Sequence, residues 1–278
     1  MSKLFFILLG IITVCSRIFA QGVLSPHAYM QEAVIEHHGT TATVKADSPI
    51  PLKQAVTAVS EEYGWAVHYE DPPYQTKYDV MDMTNPSYRA AHPEAKVVLG
   101  PAGGPFQSTY SEDPNMWSSA AMEQQVLEKI VADYNQSGNP GNFVLRRLSD
   151  GSFDVVGNSI RNDNGAPVPV TPVLDTPIYI PLQARSLDGA LTSVLSALSA
   201  KTGFGMNVGN GPSNLLGSPW SGITVGGVTA PARNLLMVAI APTKIFVWDL
   251  RYGPQDREYA LNLRPVTRVQ YDTFGHNR

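Results

Sequence analysis

The stretch IPLKQAVTAVSEEYGWAVHY (residues 50–69) predicts a helix followed by a strand, which indicates a fold that contains both. Apolar residues recur at helical spacing from Leu52 onward, and Gly64 ends the helix. The stretch IPLQARSLDGALTSVLSALSAKTGFGMNV (residues 180–208) has the same order, with Leu191 twelve positions before Gly203, the distance that separates Leu52 from Gly64. A weak internal repeat of about 130 residues indicates a duplicated unit.

The hydrophobic patterns of the two halves of the chain predict the same succession of elements: strand, helix, strand, strand, helix and hairpin. The fold class is therefore α+β, with two tandem βαββαββ-type modules and a long Pro-rich insert in the first. In the second module a strand is predicted at 178–183, a helix at 187–201, strands at 203–208 and 223–228, a helix at 232–240 and a hairpin from 244–250 and 258–263.

Breaks in periodicity and clusters of Pro, Gly and Asn divide the chain into six segments. They are a signal peptide (1–20), an N-terminal helical segment (21–40), the first module (41–157) with its insert (71–118), a linker (158–177), the second module (178–265) and a tail (266–278).

The first twenty residues have the layout of a secretory signal peptide. Lys3 gives a positive start, residues 4–14 are apolar, and a small residue, Ala20, precedes Gln21. An apolar run of this length is too short to span a bilayer. We expect cleavage near Ala20, which would also remove the only cysteine, Cys15. A disulfide-free exported chain indicates the periplasm or the medium of a bacterium.

Composition excludes several classes of partner. The formal net charge is −4, and charged residues make up 16% of the chain. Because neither a basic face nor a second long apolar run is present in the sequence, we expect no nucleic-acid partner and no stable membrane span.

The repeated pattern resembles the short N-terminal domain of secretins and TonB-dependent receptors. The resemblance covers most of residues 41–157 and 178–265. It rests on hydrophobic spacing in two sets of residues: Ile50-Pro51-Leu52 with Ala55, Val56, Val59 and Gly64, and Ile180-Pro181-Leu182 with Ala190, Leu191, Leu195, Leu198, Gly203, Leu235 and Leu236. It implies a bacterial envelope module that works through protein–protein contact. The sequence departs from that family because only thirteen residues follow Pro265, so we expect neither a pore-forming domain nor a receptor barrel.

No pattern in the sequence predicts catalysis, a cofactor or a metal. His37-His38 is the nearest approach to a metal cluster, but zinc needs three or four converging ligands. We expect this pair near the end of a helix instead. Paired carboxylates such as Glu61-Glu62 and Glu70-Asp71 are also typical of solvated helix ends and turns.

Aromatic density beside the insert is the feature most typical of recognition, since amphipathic rings add contact area at low entropic cost. The candidate partner- or ligand-binding residues are Tyr74, Tyr78 and Tyr88, with Trp220 in the corresponding loop of the second module.

Three functions remain open from the sequence. The first is a non-enzymatic interaction or assembly module of the bacterial envelope, whose partner is an envelope protein or a second copy of itself. The second is an exported hydrolase of glycans or peptides that uses the Tyr-rich insert as a lid. The third is a structural envelope protein with no ligand. The first is favoured, so the chain is expected not to be an enzyme.

Overall fold

A computed structural model describes residues 32–47, 49–112, 120–211 and 220–266. The signal peptide prediction and nearly all of the predicted tail lie outside these residues. Within them the chain contains both helices and sheets, which confirms the α+β class. None of the helices in this part of the chain is both long and apolar enough to cross a membrane.

The first half of the molecule runs from β1 to β8. Its elements are β1 (Val34–His38), β2 (Thr41–Ala46), α1 (Pro51–Tyr63), β3 (Val67–Glu70), β4 (Val80–Asp82), α2 (Pro86–Ala91), β5 (Leu99–Pro101), β6 (Phe106–Ser111), α3 (Ala120–Gln136), β7 (Asn142–Arg147) and β8 (Phe153–Arg161).

A short strand, β9 (Pro167–Pro169), and a 3₁₀ turn (Val173–Asp175) lead to the second half, which runs from β10 to β16. Its elements are β10 (Pro177–Tyr179), β11 (Gln183–Arg185), α4 (Leu187–Thr202), β12 (Gly205–Val208), β13 (Ile223–Val225), β14 (Thr229–Pro231), α5 (Ala232–Ile240), a 3₁₀ turn (Ala241–Thr243), β15 (Phe246–Gly253) and β16 (Glu258–Pro265).

The same strand pairing occurs in each half. In the first half β8 is antiparallel to β7 and parallel to β3. In the second half β16 is antiparallel to β15 and parallel to β12. A smaller antiparallel pair packs on the helices of each half, β2 with β6 and β11 with β13. With β1, β4, α2 and β5 left aside in the first half, and β10 and β14 in the second, both halves have the order strand, helix, strand, strand, helix, strand, strand.

Helices α1 and α4 end in the same way. Gly64 and Gly203 follow them with φ of 67° and 75°, a left-handed conformation that glycine adopts without steric cost. Four positions earlier each helix has a serine whose hydroxyl donates to the carbonyl of the aromatic residue after the glycine. These pairs are Ser60 with Trp65 (2.6 Å) and Ser199 with Phe204 (2.8 Å).

The halves join edge to edge into one sheet of order β12-β16-β15-β3-β8-β7, in which β9 also pairs with β8. At the join, β3 and β15 are parallel, and the amide of Asp71 donates to the carbonyl of Leu250 (2.9 Å). The amide of Trp248 donates to His68 Nδ1 (3.1 Å), and the two rings stack with centroids 3.6 Å apart. Strand β16 adds a further contact, because the Arg264 guanidinium donates to the carbonyl of Val67 (2.9 Å).

The predicted N-terminal helix at 21–40 is wrong where the structure describes it. Val34–His38 form strand β1, which is antiparallel to β2. Gly39, with φ of 66°, turns the chain so that β1 can use the backbone groups of β2. This pairing outweighs the helical spacing of the apolar side chains. Residues 21–31 of the predicted helix lie outside the described part.

Other predicted boundaries differ because strands continue through segments that are rich in Pro, Gly and Asn. Strand β8 runs past residue 157 to Arg161 and pairs with β9, so the predicted linker (158–177) is partly sheet. Its Val173 and Leu174 are buried in the second-half core. Within the predicted insert (71–118), β6 belongs to the small sheet with β2. The predicted strand at 178–183 is interrupted at Pro181, which lies between β10 and β11.

The shared helix ending leads to a stability prediction. Gly203→Ala should lower the free energy of unfolding by about 1–2 kcal/mol, because an L-residue in the left-handed region clashes with its own backbone. No atom lies within 4 Å of the added Cβ, so the cost comes from the backbone alone. Gly203→Asn should cost less, since Asn tolerates this conformation. Urea denaturation of the three proteins checks both values, and equal stability of Gly203→Ala and the unsubstituted chain would contradict this explanation.

Candidate functional site

The sequence-predicted recognition residues lie in different environments. Tyr74 is 2% exposed and belongs to the core of the second half. Its burial contradicts the prediction that it contacts a ligand at the surface. The reason is tertiary, because Tyr74 follows β3 through Pro72-Pro73 and packs against the core of the second half.

Tyr78 and Tyr88 are each 39% exposed, as recognition residues must be. The Tyr78 ring covers Gly165, and the Lys77 ammonium lies 5.3 Å from its centroid. The Tyr88 ring, on α2, lies 4.6 Å from that of His92. Trp220 is half-buried against the second-half core, and its carbonyl accepts from the amide of Leu187 (3.0 Å). The predicted residues thus have different neighbours.

The insert leaves and rejoins the first half at fixed points. Where it leaves, the buried carboxylate of Asp79 accepts from the amide of Arg161 (2.6 Å). The Arg161 guanidinium donates in turn to the carbonyls of Tyr78 (2.9 Å) and Gly138 (2.6 Å). Where the insert returns, the amide of Ala102 donates to the carbonyl of Asp79 (2.8 Å). The chain between these points is therefore a long loop whose two ends lie side by side.

Local hydrogen bonds give the insert its structure. Asn85 caps α2 by accepting from the amides of Ser87 and Tyr88. The Thr84 hydroxyl oxygen accepts from Arg89 (2.9 Å) and from the amide of Val98 (2.9 Å). A salt bridge of 2.6 Å also joins Arg89 to Asp82. The insert therefore has a defined conformation that does not depend on a core of its own.

No residue from Val80 to Leu99 is buried, although several are large and apolar. Five large hydrophobic residues of the insert are 38–41% exposed, and we define them as the insert surface: Tyr78, Met81, Tyr88, Val97 and Leu99. The amide of Leu99 donates to the side chain of Gln255 in the β15–β16 turn (3.2 Å), so the insert also contacts the second half. In the β4–β5 pair Met81 lies opposite Gly100 and Leu99 lies opposite Asp82, so the side chains of Met81 and Leu99 leave opposite faces of the pair. The insert therefore exposes apolar side chains on both faces of a fixed backbone.

A second group of exposed apolar side chains lies on the second half. Tyr179 (58% exposed) is the last residue of β10 and pairs with Thr229, the neighbour of Val228 (61%). Leu182 (65%) packs close to Gly227. We call Tyr179, Leu182 and Val228 the second-half patch.

A buried cluster of charges lies at the join between the halves. Its centre is Arg233 on α5, which is 4% exposed and ion-paired to Glu70 on β3 and Asp154 on β8. Arg233 Nε also lies 3.0 Å from Asp175 Oδ1, and Arg146 pairs with the other oxygen of Asp175 at 2.7 Å. Arg233 belongs to the second half, whereas Glu70 and Asp154 belong to the first.

Burial and charge shift the pKa values of this cluster in opposite directions. Burial raises the pKa of Glu70 to about 7, even though the charge of Arg233 lowers it. Burial also raises the pKa of Asp154. For Arg233, burial acts to lower the pKa, but the charges of Asp154, Glu70 and Asp175 outweigh it and raise the pKa. Arg233 is therefore a permanent cation inside the molecule.

The cluster is suited to holding the halves together and not to acting on a substrate. Glu70 and Asp154 are each 0% exposed, and the neighbouring Asp71 is 1% exposed. Asp71 accepts from the hydroxyl of Tyr69 (2.7 Å) and from the amide of Tyr252 (3.1 Å). The pair Glu70-Asp71 lies inside the protein, so the expected location in a solvated turn is wrong for it.

His37 and His38 lie on β1 and not near the end of a helix. His37 Nδ1 is hydrogen-bonded to the buried carboxylate of Glu112 (3.0 Å), and this bond raises the pKa of His37. The hydroxyl of Tyr63 also donates to Glu112. Within the described residues, no group of three or more His, Cys, Asp or Glu side chains has an arrangement that could hold a metal ion.

The chain matches no protein-family model, and neither a curated protein nor a solved structure is significantly similar to it. The structure and the sequence are therefore the basis for assigning a function.

The buried cluster leads to a prediction about stability. Arg233→Met should lower the free energy of unfolding by about 3–5 kcal/mol, because it leaves buried carboxylates without their cation. Arg146→Met should cost less than about 1 kcal/mol, since the pair between Arg146 and Asp175 is partly exposed. Chemical denaturation at neutral pH compares the two variants, and similar losses would show that Arg233 is not the main contact of the cluster.

The raised pKa of Glu70 predicts a specific pH dependence. The pKa of an unfolded glutamate is about 4.3. Between that value and about 7, native Glu70 keeps a proton that the unfolded chain has lost, so stability falls as pH rises through this window. Glu70→Gln should make the decline shallower. Stability measured from pH 4.5 to 8 checks this, with the exposed Glu94→Gln as control, and an unchanged slope in Glu70→Gln would contradict it.

Proposed function

We propose that the chain is an exported, non-enzymatic interaction module of the bacterial envelope, and that the insert surface is its recognition site. The observation that supports this most directly is the insert itself. It exposes Met81, Tyr88 and Leu99 while hydrogen bonds and a salt bridge hold its backbone. A conformation fixed before binding reduces the entropy lost on association.

The repeated strand pairing supports a relation to the short N-terminal domains of secretins and TonB-dependent receptors. Each half has the order of elements on which that resemblance rests, including a first helix that ends at glycine. The chain would then be a tandem pair of such modules joined through β3 and β15. Domains of that family act by contacting other proteins, which agrees with an exposed apolar recognition surface.

Export rests on the sequence pattern of residues 1–20 and on the single cysteine, Cys15, within it. Each half has its own core of buried hydrophobic side chains. Cores of this size need no disulfide, which agrees with a mature chain that has lost its only cysteine. We place the mature chain in the periplasm or outside the cell.

The test is crosslinking of the mature chain in intact envelopes, followed by affinity capture and mass spectrometry. A triple variant of the insert surface, Met81→Ser with Tyr88→Ser and Leu99→Ser, should reduce capture of the bound envelope protein at least about tenfold, because it removes exposed apolar side chains from both faces of the insert. These residues are exposed, so the thermal stability of the variant should be close to that of the unsubstituted chain.

The matched control is a second triple variant in the second-half patch: Tyr179→Ser, Leu182→Ser and Val228→Ser. It removes the same number of exposed apolar side chains from a different surface. We expect it to keep the captured protein. Loss of capture in both variants, or in neither, would contradict the assignment of the insert surface.

A further inference from the structure

Strand β6 has one side without a strand partner in the described part of the chain. The small sheet of the first half has the order β1-β2-β6, so β6 is an edge strand. It pairs with β2 along its whole length, from Phe106 opposite Ala46 to Ser111 opposite Thr41. An unpaired strand edge presents a row of backbone donors and acceptors that a further strand can use.

The register shows which residues face outward. The amide of Glu112 donates to the carbonyl of Thr40 (2.7 Å), which makes these two a hydrogen-bonded pair. In an antiparallel ladder such pairs alternate with non-bonded ones. The backbone groups of Gln107, Thr109 and Ser111 therefore point away from β2, and the side chains of all three are exposed.

Space for another strand exists beside this edge. A groove of about 520 Å³ lies between the end of β6 and α3. Thr109, Tyr110 and Ser111 line its strand side, and Gln125, Lys129 and Ala132 line its helix side. An edge strand next to a helix-lined groove is the geometry that proteins use to add a strand from a partner.

Strand β6 carries no charge that would oppose pairing with a second copy of this chain. Self-pairing places identical residues near one another, so like charges oppose it. Strand β6, with the sequence FQSTYS, has no charged residue. In contrast, β1 contains Glu36, and β7 ends with Arg146 and Arg147. At the other end of the large sheet β12 has four residues, which is short for a strand interface.

We propose that two copies of the chain pair through β6 in antiparallel orientation, about a twofold axis at Thr109. This register places Thr109 opposite its symmetry mate and Gln107 opposite Ser111 of the second copy. All three outward-facing residues are then paired, and the contact forms roughly six backbone hydrogen bonds. Shifting the register by two residues would pair fewer of them.

This contact deepens the assembly part of the proposed function, on which it rests for its biological meaning, but it shares no residue with the insert surface. A single pair of short strands buries less than the 1,200–2,000 Å² typical of stable complexes, so we expect a weak, concentration-dependent dimer. Self-association and capture of an envelope protein are separate measurements, and either can fail alone.

The experiment is sedimentation equilibrium of the mature chain over a range of concentrations, at low ionic strength. The unsubstituted chain should dimerise. Thr109→Lys should weaken dimerisation at least about tenfold, because it places two like charges at the twofold axis. Thr109→Glu should do the same, and an equimolar mixture of the two variants should recover association as a heterodimer.

Thr43→Lys is the matched control. Thr43 lies opposite Thr109 on the central strand β2, and their hydroxyl groups are hydrogen-bonded at 2.8 Å. This variant loses the same hydrogen bond and gains the same charge away from the edge, so it should dimerise like the unsubstituted chain. A monomeric unsubstituted chain, equal effects of Thr43→Lys and Thr109→Lys, or failure of the mixture to associate would each overturn the proposal.

Discussion

Arg233 places a permanent cation among the carboxylates of Glu70, Asp154 and Asp175, at the join between the two halves. We call this join the seam. An ion inside a protein is tolerated only while its partners stay in place. Because Arg233 comes from α5 whereas Glu70 and Asp154 come from β3 and β8, separation of the halves would leave charges of both signs without partners. The β3–β15 pairing joins the two similar halves into one continuous sheet. The ion cluster holds the halves in that position.

The surfaces available to partners follow from this arrangement. Joining β3 to β15 covers one edge of each half, so these edges are unavailable for association. The edge of β6, which belongs to the small sheet, keeps its outward backbone groups. The insert lies between two fixed points and touches the β15–β16 turn through Leu99 and Gln255, so its exposed side chains are held by both halves. Recognition through the insert and self-association through β6 can thus occur on the same rigid scaffold.

Local patterns in the sequence predicted elements whose causes are local. The helical spacing after Leu52 and Leu187 and the glycines after α1 and α4 each depend on neighbours in the chain. The seam could not be predicted in this way, because its ion pairs join residues up to 163 positions apart. The strand conformation of β1 has a nearer cause, which is its pairing with β2 across the turn at Gly39. Tyr78 and Tyr88 were predicted as exposed aromatics, whereas the burial of Tyr74 depends on tertiary contacts with the second half.

Native-state hydrogen exchange at the seam tests this account most directly. The amides of Asp71, Trp248 and Tyr252 donate across the join to Leu250, His68 and Asp71, respectively. If the halves form one cooperative unit, these amides exchange only when the whole protein unfolds, with the same opening free energy as the interior strand β8. Faster exchange at the seam, while amides in the cores of both halves stay protected, would show that the halves separate without unfolding and would contradict the account.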